Sequence, residues 1–129
     1  MLTHTKNLLS RWLPLFAYCL IIFIQSSQPS YEHLPEFKFS DKFLHFSAYA
    51  VLGILFFRAF QTLRIKTNIR LLILLSIVSA SLYGVSDEIH QYFVPFRNAD
   101  LLDVLANTFG AICGVYFYHI WVSRKQTAG

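Results

Sequence analysis

The sequence is short of charge. Only 14% of its 129 residues are Asp, Glu, Lys or Arg, where a soluble domain averages roughly 25%. A chain this poor in charge lacks the polar surface that keeps a folded domain in water. Cysteine is scarce too. Cys19 and Cys113 are the two present; both fall inside apolar runs, and their spacing makes neither a disulfide framework nor a zinc site. They read as free thiols packed among hydrophobic neighbours. Internal repeats and low-complexity tracts are also missing, which sets aside solenoids and disordered linkers.

What fills the chain is apolar: 55% hydrophobic and 17% aromatic residues. They cluster into runs long enough for a helix to cross a bilayer, which takes about 20 residues. The formal net charge of +4 does not make a nucleic-acid protein, because the basic residues sit at the edges of apolar runs, where headgroups and topology account for them. Four transmembrane helices are predicted, at about 12–26, 42–60, 71–92 and 100–122. The first has the charge-then-apolar order of a signal peptide, but its exit at Gln25 lacks a small-x-small cleavage pattern, so it is taken as retained. Pro95 closes the third. The fold class is therefore all-α: a compact four-helix transmembrane bundle with short connections.

Charge sets the expected orientation. Lys6, Arg11, Arg58, Arg64, Lys66, Arg70, Arg124 and Lys125 fall on one side of the membrane, and Lys38, Lys42 and Arg97 on the other. Eight against three predicts that both termini and the middle connection are cytoplasmic. All the acids, Glu32, Glu36, Asp41, Asp87, Glu88, Asp100 and Asp103, belong to the opposite side. That asymmetry is the most informative feature of the chain.

Three helices bring polar residues to this acidic level. On the second, Asp41 and His45 are four apart and share a face, with Tyr49 a turn deeper. On the third, Asp87 faces with His90 and Gln91, while Glu88 points about 100° away and is read as a pocket member or as a solvated rim residue. The fourth begins at Asp100, a helix-capping position; Asp103 lies about 4.5 Å and Asn107 about 10 Å along it. Ionisable groups at such depth normally face a bundle interior or a wet cavity and pair there, so a polar pocket is expected. Lys42 is read as pocket member or as snorkelling to headgroups. Asp87, near the negative end of a helix dipole, needs a cation, and Arg97, with its two-pronged guanidinium, is the expected partner. Gly110-x-x-x-Gly114, on one stripe with Asp103 and Asn107, is expected to pack against a helix of the same bundle, with homodimerisation the less favoured use.

Asp41-Lys42-x-x-His45-x-x-x-Tyr49, then Tyr83-Gly84-x-x-Asp87-Glu88-x-His90-Gln91-x-Phe93-Val94-Pro95, then Arg97-x-x-Asp100-x-x-Asp103-x-x-x-Asn107-x-x-Gly110 together resemble the VanZ-like family. The Ser26-Ser27-Gln28-Pro29 exit of the first helix is similar as well. The chain departs from the family at Phe96, where Gly usually precedes the Arg. The resemblance implies one transmembrane domain over 1–129, multi-pass in a bacterial cytoplasmic (inner) membrane. The family's founding member is associated with low-level teicoplanin resistance, a role not carried over here. The resemblance supplies no reaction.

Two classes of function compete. In the first, the pocket binds or handles an envelope lipid or lipid-linked anion. Asp41, Lys42, His45, Glu88, Gln91, Arg97, Asp100 and Asn107 are then the binding residues; helix N-termini and the two cations suit an anion. In its catalytic version Asp87, His90 and Asp103 supply acid–base chemistry for a hydrolase or transferase. In the second class the network is purely structural, or docks a partner. No cofactor is implied. Asp87, His90, His45 and Asp103 include zinc- or manganese-type donors, but the spacing matches no recognised metal motif and no metal is assigned.

Overall fold

A computed structural model of the chain describes residues 1–28, 38–97 and 99–129, with residues 38–41 described as backbone only. Among these the chain forms four long helices: α1 (Leu2–Ser27), α2 (Lys38–Phe60), α3 (Ile69–Tyr92) and α4 (Leu101–Ala128). A single 3-10 turn, Arg64–Thr67, links α2 to α3. All four helices are long and apolar enough to cross a membrane. Their outward faces carry Leu13, Phe16, Leu20, Leu74, Leu82, Phe109 and Phe117, all largely exposed. In water that coat would be an aggregation surface; around a membrane bundle it is the side that meets lipid.

The helices overrun their predicted bounds. α1 starts at Leu2 rather than 12, and α4 runs to Ala128 rather than 122. The prediction followed the apolar stretch, whereas a helix satisfies its own backbone wherever it lies and continues through polar turns. At about 1.5 Å per residue these two helices reach roughly 39 and 42 Å, beyond a hydrocarbon core of about 30 Å.

α2 and α3 form the middle of the bundle. α1 packs on both from one side and α4 on both from the other, and the most extensive helix pair is α2 with α4. These two run parallel, matching Phe46 to Gly110, Ala50 to Gly114 and Phe57 to Tyr118 along their length. The seam is backbone against backbone. A Cβ on Gly110 would sit 2.1 Å from the Phe46 carbonyl oxygen, and one on Gly114 2.1 Å from that of Ala50. The glycine stripe is thus occupied by α2 of the same chain, as expected of small residues between membrane helices. Elsewhere the core is apolar: Leu15, Ile22, Tyr49, Leu52, Ala59, Ala80 and Ala111 in one cluster, Phe57, Leu72 and Val115 in a second.

The two ends of the bundle differ in chemistry. At the basic end, turns from both terminal helices and Lys66 border one cavity of about 550 Å³. Arg11 there donates to the Arg58 carbonyl (3.2 Å) and to Gln61 Oε1 (2.7 Å), and Trp12 Nε1 donates to Thr62 Oγ1 (2.9 Å). A cation on the last carbonyls of α2 suits the negative end of that helix. The acids whose side chains are described, Asp87, Glu88, Asp100 and Asp103, gather at the other end.

Candidate functional site

Asp100 ends an extended approach to α4 and caps it, its Oδ1 accepting the Leu102 N–H at 2.9 Å. Its other oxygen takes a hydrogen bond from Lys42 Nζ at 2.7 Å. The ammonium first, and the Leu102 N–H second, hold this carboxyl below the ordinary aspartate range. Lys42 also donates to Asp103 Oδ1. Lys42 therefore turns onto two acids of α4 rather than snorkelling to headgroups.

Deeper in the same seam, His45 Nδ1 lies 3.0 Å from Asn107 Oδ1, and its Nε2 lies 3.6 Å from Asp103 Oδ2. Asp103, Asn107, Gly110 and Gly114 are all buried on one face of α4, as their spacing predicts. Of the two readings of Glu88 the structure excludes the rim: the residue is buried, 4% exposed. The 100° between Asp87 and Glu88 separates two helix contacts, not interior from solvent, because the start of α4 covers the Glu88 face. Glu88 Oε2 accepts the Asp100 N–H at 3.2 Å, while Oε1 is buried with no hydrogen-bond partner among the described residues. Donor atoms of His45, Glu88 and Asp103, one helix each, lie within 4.8 Å of one another.

Asp87 belongs to a second cluster, facing α1 and α2. Ser26 Oγ donates to its Oδ1, Tyr49 OH donates to its Oδ2 at 3.3 Å, and Gln91 Nε2 donates to Ser26 Oγ at 3.3 Å. Ser26, Tyr49, Asp87 and Gln91 are all buried. They border a cavity of about 370 Å³ with His45 and Arg97, and Tyr18, Ile21, Ile22 and Leu44 also line it.

Two expected pairings are not made. Arg97 does not bind Asp87. Its Nε donates to the Gln28 carbonyl (2.9 Å) and its Nη2 to the Gln25 carbonyl (3.1 Å). The last carbonyls of a helix lack intrahelical donors, so the end of α1 captures the guanidinium, and two hydroxyls serve the carboxylate instead. Nor does His90 join Asp87. Its Nε2 lies 2.9 Å from Ser27 Oγ, and its ring stacks on Phe23 with centroids 4.7 Å apart. Asp87 thus engages Ser26 and His90 engages Ser27, successive residues on different sides of α1. The side chain of Asp41 lies outside the described residues.

Ser26 is the site residue that sequence reasoning did not assign. Its signal was the polar exit of the first helix, which the family resemblance had marked without giving it a partner. The turn before Arg97 also has a physical identity. Phe96 has φ 64°, in the left-handed region that favours glycine, at the position where the chain departs from the family's Gly.

A family model described as VanZ/LLP1 matches residues 4–122. No curated protein and no solved structure matches the chain. With nearly its whole length matched, the chain belongs to the VanZ/LLP1 family, and it is a multi-pass membrane protein.

Proposed function

We propose that this VanZ/LLP1-family protein binds an anionic amphipathic molecule, an envelope lipid or lipid-linked intermediate, in the cavity between α1, α2 and α3. The observation that carries the reading is the make-up of that cavity: its lining combines apolar residues of α1 and α2, among them Ile21, Ile22 and Leu44, with Ser26, Asp87, Gln91 and Arg97. Such a mixed lining suits a molecule with a hydrocarbon chain and a polar head. Arg97 uses two of its five N–H donors on α1 carbonyls, which leaves a pre-positioned fork for phosphate or carboxylate oxygens. The distribution of Lys and Arg supports placing this end of the bundle on the outer face of a bacterial inner membrane. Reporters that work only outside the cytoplasm are then active when fused near Asn98 and silent at Lys66 or Gln126; activity at Gln126 defeats that orientation.

Binding is favoured over hydrolysis by the geometry around Asp87. An acid–base relay through Asp87 and His90 needs that imidazole within reach of that carboxylate, and His90 is engaged with Ser27 instead. The test is mass spectrometry of lipids retained by purified protein, wild type beside Arg97→Ala and Arg97→Lys. The expected result is an anionic lipid enriched in wild type, lost in Arg97→Ala and not restored by Lys. The same lipids in all three, at the same abundance, would remove Arg97 and this cavity from the account.

A further inference from the structure

We infer that His45, Glu88 and Asp103 form a binding site for one divalent transition-metal ion of the zinc or manganese class. The inference does not rest on the binding reading above, although His45 also borders that cavity. Three helices contribute one residue each, and their donor atoms already lie within 4.8 Å of one another. Ligands about 2.1 Å from a tetrahedral ion are about 3.4 Å apart. The His45 Nε2 to Asp103 Oδ2 distance of 3.6 Å is close to that edge, so Glu88 supplies most of the remaining approach.

The second observation is the state of Glu88. It is 4% exposed, and its Oε1 is buried with no hydrogen-bond partner among the described residues. A buried carboxylate oxygen left unanswered is costly. Among the described side chains, Glu88, Asp100 and Asp103 stand beside one ammonium, Lys42, which is already shared between the two aspartates. A divalent ion supplies positive charge that this described group lacks.

The surroundings also prepare the histidine. His45 Nδ1 lies 3.0 Å from Asn107 Oδ1, a contact in which Nδ1 donates when it carries the ring proton. The nitrogen turned to Asp103, and the one assigned as ligand, is Nε2. A hydrogen bond that fixes the tautomer from behind is a recurring support of metal-bound histidine. Asp103 divides its oxygens in the same way, Oδ1 to Lys42 and Oδ2 toward His45. One imidazole and two carboxylates form a nitrogen–oxygen donor set suited to zinc or manganese rather than to calcium, which prefers six to eight oxygens.

The experiment is equilibrium dialysis of Zn²⁺ and Mn²⁺ against the full chain, purified in detergent and stripped with chelator. Wild type is expected to hold one equivalent. Glu88→Gln and His45→Gln should each weaken binding by more than about tenfold, while His4→Ala and His119→Ala, at the basic end, leave it unchanged. Absence of a stoichiometric site, or undiminished affinity in folded Glu88→Gln, overturns the proposal. X-ray absorption on zinc-loaded wild type decides the matter even if the variants do not fold. Nitrogen and oxygen neighbours at about 2.0–2.2 Å support the site, and sulfur at about 2.3 Å assigns the ion to a cysteine and overturns it.

Discussion

Gly110→Ala tests the α2–α4 seam with a single methyl group. Its Cβ would lie 2.1 Å from the Phe46 carbonyl oxygen, whereas a carbon approaches a carbonyl oxygen no closer than about 3.3 Å. Relief requires the two backbones to separate by about 1.2 Å, because no side chain stands in the way that could swing aside. A gap of that size forfeits up to about half of each dispersion contact, worth about 0.1–0.2 kcal/mol per atom pair. Over a few tens of pairs the loss is on the order of 2–3 kcal/mol, within the usual range for overpacking. Alanine's better helix propensity returns about 1 kcal/mol, so a net destabilisation of about 1–2 kcal/mol is expected. Thermal unfolding in detergent, followed by circular dichroism and by sodium dodecyl sulfate titration, measures it. Gly114→Ala should cost a similar amount. The double variant should cost less than the sum, since one separation makes room for both methyls. Strict additivity, or Gly110→Ala unfolding at or above the wild-type temperature, would refute the backbone seam.

Ser26→Ala removes one of the two hydroxyls on Asp87 and should lower stability by about 1.5–3 kcal/mol, as loss of a hydrogen bond to a buried charged group does. Ser27→Ala should cost clearly less, and equal losses in thermal denaturation would contradict the assignment. Phe96→Gly relieves a left-handed backbone cost of about 1–2 kcal/mol against a glycine entropy cost of about 0.5–1 kcal/mol; a small rise in unfolding temperature is expected, and a fall would argue against strain at this turn. The Asp100 carboxyl is held below its ordinary value, chiefly by Lys42. Its stabilisation is therefore full above the unfolded aspartate pKa of about 3.9 and disappears as pH falls through the lower folded value. The stability gap between wild type and Asp100→Asn should stay constant from pH 8 to about 5 and close below about 4; closure near neutrality would point to another group.

The helices and the glycine stripe were legible because each depends on a one-dimensional pattern: apolar runs for the spans, steps of four, three and four for Asp103, Asn107, Gly110 and Gly114. The convergence of His45, Asp87, Glu88, Asp100 and Asp103 on one end was legible for the same reason, since helix pitch converts sequence position into depth. What the pattern does not carry is azimuth between helices. Glu88 stays open between pocket and rim in the sequence because a side chain turned 100° from its neighbour can meet solvent or a fourth helix, and only the packing of α4 decides which. Arg97 was misassigned because charge suggested a carboxylate, while the orphan carbonyls of α1 lay closer. His90 followed its nearest serine. Ser26 went unassigned because a hydroxyl at a helix exit has no pattern of its own.

The parallel seam also orders the assembly of the molecule. α2 enters the membrane well before α4 is synthesised, yet the closest fit of α2, and the acids that answer Lys42, all reside on α4. Until that last helix arrives, Gly53, Phe46 and Ala50 face no backbone partner and Glu88 no Asp100 N–H. The first three helices can gather through α1, which binds α2 and α3 by the Tyr18–Ala48 and Tyr83–Cys19 hydrogen bonds. The acidic end is therefore completed last in biogenesis, and a nascent chain halted before Leu101 carries the polar groups of α2 and α3 without their closure. Such an intermediate holds the Lys42 ammonium without Asp103 and the Glu88 carboxylate without the cover of α4.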